Sequence, residues 1–271
     1  MRWVSVVAIC VLLPWHQAGP SEPLAPTSKW VINFADDQCL AMRAFGTEKE
    51  PLHFALKSSP TSDVVQISLM RDGGKGVAMQ ESGSLTFDSG NKIKVKQLRF
   101  SADKKVIRRI NLDGADAKTL GRSNRLGWSV LGHVYDLALG PMAPVIKVMG
   151  QCREDLRKYW NIDPDKRAAL KEEARSLTPL ASAFSSDDYP SQAISNDETG
   201  DTGVVLLIDD KGKLADCMVV ETSNVATLDA MACFVIQERV KFTPAIGSDG
   251  KPARSAFSQR IRWKMPNLPR H

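Results

Sequence analysis

The stretch from residue 203 to 265 constrains the fold most, because its apolar period changes from two to about 3.6 and back to two. GVVLLIDD (203–210) and KLADCMVVE (213–221) are two β runs around Lys211-Gly212, where glycine supplies the positive φ of a tight hairpin. Leu228, Met231, Ala232 and Val235 then recur at helical spacing, with Asp229 near the helix start, where the dipole favours a negative charge. In SAFSQRIRWKM (255–265), Phe257, Gln259, Ile261, Trp263 and Met265 share one face, while Ser258, Arg260, Arg262 and Lys264 take the other. Strand, strand, helix, strand is the order of a small α+β unit.

Upstream, LHFAL (52–56), VVQISLM (64–70), KIKVKQL (92–98) and KVIRRINL (105–112) are short β-type runs separated by Gly, Asp and Ser turns, which predicts antiparallel β. After Pro141, residues Val145, Met149, Cys152, Leu156 and Trp160 recur at helical spacing and predict an amphipathic helix that carries Cys152 inward. Asp163-Pro164 reads as an N-cap followed by proline at the first helical position, opening a second, more polar helix over DKRAALKEEARSL that Thr178-Pro179 stops. The segment 178–188 (TPLASAFSSDD) is small, polar and without period, and reads as a linker. The expected fold class is α+β: a mainly antiparallel β domain over 29–177 that ends in helices, then a β-β-α-β domain over 189–271.

The N-terminus sets the compartment. Met1-Arg2 precedes an uncharged apolar run from Trp3 to Trp15, and Ala18-Gly19 offers small residues for cleavage, so residues 1–19 have signal-peptide length. Pro14, His16 and Gln17 end the run short of the roughly 20 apolar residues of a membrane span. A cleaved leader gives a periplasmic protein; an uncleaved one gives a tether to the inner membrane. Residues 20–28 (PSEPLAPTS) read as a short extended Pro/Ser linker. Setting Cys10 aside leaves four cysteines, an even number that in an exported chain predicts two disulfides. Of the three connectivities, the domain reading favours Cys39 with Cys152 and Cys217 with Cys233. Closing those loops contributes roughly 4.7 and 3 kcal/mol in the chain-entropy model.

Several chemistries are absent. The formal charge of +5 comes from 36 Lys and Arg against 31 Asp and Glu, too slight and too evenly spread an excess for a nucleic-acid partner. Alternation of Lys92, Lys94 and Lys96 with Ile93 and Val95 is what a half-buried strand gives. Four histidines make no pair at metal-ligand spacing, and no Cys-x-x-Cys occurs. Gly127-Trp128-Ser129-Val130-Leu131 lacks the final glycine of a nucleophile elbow, and Gly73-Gly74-Lys75-Gly76 lacks the spacing of a phosphate loop. Neither a catalytic residue, a cofactor nor a metal is expected, and Trp128, Trp160 and Trp263 are expected in cores rather than on binding platforms.

Residues 189–265 resemble the TonB C-terminal domain. The resemblance rests on Tyr189-Pro190, Gly203, Asp210 with Gly212, Leu228-Asp229, Phe242 with Pro244-Ala245, and Gly250-Lys251-Pro252, in order and at that family's spacing. One departure is Asn224 where the family usually has glycine, a position that asparagine's tolerance of left-handed backbone suits. A second is Ser186, where the family carries a polar Gln shortly before the Tyr-Pro pair. Cys217 and Cys233 resemble a subgroup with one cysteine in the second strand and one in the helix. The first unit is assigned to no family.

The resemblance implies a periplasmic protein-binding module and not an enzyme. Its edge strand would pair with the TonB box of an outer-membrane receptor in TonB-dependent transport, by β-augmentation. Tyr189, Pro190, Ser255, Phe257, Gln259, Arg260, Ile261, Arg262, Trp263 and Lys264 are the partner-binding residues it marks. Arg260, Arg262 and Lys264 would either attract an acidic segment or guard the edge against aggregation. Three other functions stay open: a complete tethered energy transducer that also engages ExbB and ExbD, an enzyme with its site in the first unit, and a structural envelope protein that keeps the fold without box binding. In a transducer, the link 178–188 reaches only about 40 Å at roughly 3.5 Å per residue, which favours the binding module.

Overall fold

In the computed structural model, which describes residues 22–266, the first unit is an antiparallel sheet of nine strands; the leader and Cys10 lie outside the described residues. The strands are β1 (Val31–Phe34), β2 (Cys39–Gly46), β3 (Pro51–Ser58), β4 (Val65–Asp72), β5 (Met79–Phe87), β6 (Lys92–Ala102), β7 (Lys105–Leu112), β8 (Arg125–Val130) and β9 (His133–Ala138). Their spatial order is β1-β2-β3-β4-β7-β6-β5-β8-β9. The four β runs expected between 52 and 112 fall in β3, β4, β6 and β7.

This sheet closes on itself. Leu24 bridges Leu137 of β9, and Pro26 bridges Phe45 of β2. The Leu24 N–H donates to the Asp136 carbonyl at 2.7 Å and the Thr27 N–H to the Ala44 carbonyl at 2.9 Å. One stretch is therefore bonded to β2 on one side and to β9 on the other, which closes the sheet into a barrel beside the short β1. Alternation sorts its residues: along β7, Val106, Arg108, Ile110 and Leu112 are buried, while Ile107, Arg109 and Asn111 face out. Inside, Phe54 meets Trp30 and Trp128 edge to face at 6.2 and 6.5 Å. The buried Arg108 is paired there, its Nε–H donating to Glu81 at 2.8 Å; Gln97 also donates to Glu81 and accepts from the Trp128 indole at 2.6 Å. Glu81, Gln97, Arg108 and the Trp128 indole thus satisfy one another inside the barrel.

Helix α1 (Gly114–Leu120) starts at Asp113, whose carboxylate accepts from the backbone of Ala115 and Asp116. Helix α2 (Ala143–Tyr159) buries Val145, Met149, Cys152 and Leu156 against the barrel, and a disulfide joins Cys152 to Cys39. The expected polar helix is shorter than its sequence suggests: α3 spans only Pro164–Ala168. Beyond it the chain is extended. Lys171 N–H donates to the Ile246 carbonyl, and β10 (Arg175–Ser176) pairs with β13 (Phe242–Thr243). Leu170 and Ala174 enter the core of the second unit. A polar segment of that length gains little as an isolated helix, so pairing and burial elsewhere decide its conformation.

The second unit begins with two short turns of 3₁₀ helix and α4 (Ser191–Ser195), then β11 (Gly200–Ile208), β12 (Leu214–Glu221) and α5 (Ala226–Arg239). After β13 come β14 (Ala245–Ile246), its partner β15 (Pro252–Ala253), and β16 (Ser255–Trp263). The main sheet has the order β12-β11-β16. Its hairpin turns at Gly212, φ +78°, where a Cβ would lie 2.4 Å from the Phe242 carbonyl oxygen. Asp209 fixes the same turn by accepting from the Lys211 and Lys213 N–H groups. Val204, Leu206 and Ile208 join Leu228, Ala232 and Ile236 of α5 in the second core, and a disulfide links Cys217 to Cys233. Asp229 does more than face a dipole: Thr202, Thr222 and Ser223 all donate to its carboxylate, tying α5 to β11 and to the turn at Asn224, which has φ +63°.

The two units meet along the outer face of the barrel. The Gln80 backbone exchanges hydrogen bonds with the Gln192 side chain, and Gln80 Oε1 accepts from the Ala226 N–H at the start of α5. Lys96 pairs with Glu198 at 2.6 Å and Lys57 with Asp216 at 2.7 Å. Leu207 of β11 packs into the barrel's own core cluster.

Candidate partner-binding edge

β16 is bonded on one side only. Its nine residues run antiparallel to β11 in unbroken register, from Ser255 opposite Ile208 to Trp263 opposite Gly200, and among the described residues no strand pairs with its other side. It therefore presents a row of unmatched N–H and C=O groups at alternate positions. The row is not open throughout. Asn161 Nδ2–H donates to the Arg254 carbonyl at 2.7 Å, and Ile162, Arg167 and Glu173 line a small cavity against Ser255, Ala256 and Ser258. Residues from Gln259 onward do not line that cavity.

The inward face of β16 anchors it. Phe257 meets Phe242 edge to face at 6.1 Å, Ile261 packs on the second core, and Trp263 is buried. The Trp263 ring is held by Phe184 at 5.6 Å and Tyr189 at 5.7 Å, and its Nε1–H donates to Thr202 at 3.2 Å. Tyr189 thus stands behind the strand, its hydroxyl donating to the Glu198 carbonyl. Burial, and secondarily the Glu198 charge, push the Tyr189 phenol above its ordinary value, so it remains a donor. Pro190 lies at the start of α4, half-buried. Ser255 is buried where the strand begins, and Gln259 donates to the Arg260 carbonyl.

The outward face is a ladder of charges. Arg260 reaches Glu221 of β12 at 2.6 Å, and Arg262 binds Asp201 of β11 through two hydrogen bonds at 3.0 and 3.2 Å. Arg260 crosses over Gly203, where an added Cβ would come within 2.8 Å of the Glu221 Cβ. That close approach explains a glycine inside a strand. The hydrogen bond to Arg262 holds the Asp201 carboxyl below its usual range, and the same bond raises the Arg262 guanidinium. Lys264 is exposed just past the end of the strand. Glu221 and Asp201 escaped sequence reasoning, because their partners are set by cross-strand register and not by local spacing.

Residues 185–265 match the family described as Gram-negative bacterial TonB protein C-terminal. The TonB-type match contains β11, β12, α5 and all of β16, and the barrel lies outside it. The family is non-catalytic and transport-associated, and its domains are connected with the periplasm and with outer-membrane receptors. No curated protein and no solved structure matches the chain. Among the described residues, no helix is long and apolar enough to cross a membrane, and no group of three His, Cys, Asp or Glu is placed to hold a metal.

Proposed function

We propose that the C-terminal module is a periplasmic binding domain that adds a short extended segment of an outer-membrane receptor, the TonB box, to the open side of β16. The proposal divides the chain into an exported leader (1–19), a linker (20–28) whose residues 24–27 pair with β2 and β9, the barrel unit (29–177) whose last residues pair with the module, a connection (178–188) packed on the module's core, and the module (189–271). The observation that carries it is the one-sided bonding of β16, a strand whose other side pairs with β11 and whose inward face packs on the second core. Each hydrogen bond added by an incoming strand is worth about 0.5–1.5 kcal/mol net, so a segment pairing from Gln259 to Lys264 gains affinity mainly from backbone. Side-chain discrimination then falls to Gln259, Lys264 and the rims of the two ion pairs.

Pairing of Arg260 and Arg262 with the module's own acids bears on the choice between recognition and edge protection. Cations that guard an edge do so by carrying net charge along it. Here Glu221 and Asp201 offset that charge, which leaves the backbone row approachable. The test is a proline scan of Gln259 to Arg262 in the full, oxidised chain, with box-peptide affinity and melting temperature both measured. Proline at positions whose N–H points away from β11 removes an outward donor and leaves the internal ladder intact. Such variants should melt near wild type and lose peptide binding; folded variants that bind as well as wild type would refute the reading.

A further inference from the structure

A cavity of about 1350 Å³ lies between the outer face of the barrel and the α5 side of the module. It is larger than the roughly 300–1,000 Å³ of most small-molecule sites, so it can take an extended ligand. The barrel wall is ordered by strand register. Met42, Ala55, Ser68, Arg109 and Leu98 stand side by side in one row across β2, β3, β4, β7 and β6. Met70, Ile107 and Phe100 form the next row. Met231 and Phe234 of α5 face them from the module.

Within this mostly apolar lining Arg109 is anomalous. Its guanidinium lies over the Phe100 ring, 4.8 Å from the centroid, and its Nε is buried with no hydrogen-bond partner among the described residues. Burial pulls it below the usual arginine range. The carboxylate that acts on it through space, Asp216, is already held by Lys57. Most other charges on the wall are held: Lys96 by Glu198, Asp113 by the start of α1, and Asp229 by its hydroxyl donors, while Lys94 and Asp116 line the cavity without an ion-pair partner among the described residues. A buried charge ordinarily has a partner, and a guanidinium fork matches a carboxylate or a phosphate.

We infer that this cavity is a binding site for a small amphipathic anion, its carboxylate or phosphate head on Arg109 and its aliphatic body along Met70, Ile107 and Leu98 beneath α5. The site is independent of the β16 edge. Isothermal titration of the oxidised full chain with decanoate and with decyl phosphate, against decanol and decyltrimethylammonium, tests it. At least one anion should bind at one equivalent, ten-fold or more above decanol and the cation; which anion binds tells a carboxylate source from a phosphate source. Arg109→Met should cost at least ten-fold in anion affinity, and Ser68→Trp, which fills the space beside Arg109, should abolish binding while circular dichroism stays unchanged. Decanol binding as tightly as either anion, undiminished anion binding by Arg109→Met, or no anion binding at millimolar concentration would overturn the assignment.

Discussion

The barrel uses residues 24–27 to bond β2 to its last strand β9, whereas the three-stranded sheet of the module leaves β16 bonded to β11 alone among the described residues. A closed sheet can offer partners only its faces and loops, and one face of this barrel is already taken up by the module. An open sheet offers backbone. The contrast within one chain indicates where a strand-pairing partner can be received. It also separates two cores, a larger one inside the barrel and a smaller one between α5 and the three-stranded sheet of the module.

Removing the disulfides one at a time should break the comparison most strongly. Replacing Cys39 and Cys152 with alanine opens a loop of 113 residues and should cost about 4–5 kcal/mol in denaturant unfolding; replacing Cys217 and Cys233 opens one of 16 and should cost about 3. Equal losses would mean that the long bridge does not staple the barrel as a unit. Next in size, Trp263→Ala removes the ring that Phe184 and Tyr189 grip. A loss of about 3–4 kcal/mol is expected. It should fall on the module alone, with near-ultraviolet signals of Trp128 in the barrel retained.

Smaller and dependent on pH is the Asp188–Arg239 pair, which fastens the turn before Tyr189 to the end of α5 through hydrogen bonds at 2.7 Å. The bond to Arg239 holds the Asp188 carboxyl below its ordinary value against the opposing effect of burial. A depressed carboxyl contributes stability that is present above its unfolded value near about 3.9 and is lost as pH falls through the folded one. Melting curves of Asp188→Asn should therefore lie about 1 kcal/mol below wild type at pH 7 and converge with it in acid. Convergence at neutral pH instead would show that the pair carries nothing.

Much of this was legible in sequence, for local reasons. The alternation from Phe257 to Trp263 fixed which face of β16 is buried, and helical spacing around Cys152 placed that residue toward Cys39. Asn224 stood out as a residue suited to left-handed φ, whereas the close approach that requires Gly203 emerged only from the packing of Glu221 against it. Nonlocal pairing was not legible. Leu24 and Pro26 carry no signal of the strands they bridge, and Glu172 none of its contact with Ile246. Arg108 and Arg109 are adjacent and chemically alike, yet only the barrel's inside and outside give one Glu81 and leave the other over Phe100.

The most direct measurement is an amide-shift titration of the isotope-labelled, oxidised full chain with box peptides from receptors of the same cell. Pairing at the open edge predicts shifts concentrated from Gln259 to Lys264, with smaller ones on β11 and none on the barrel strands. Shifts confined to the barrel or to β12, or none at millimolar peptide, would contradict the claim that β16 is the receiving edge.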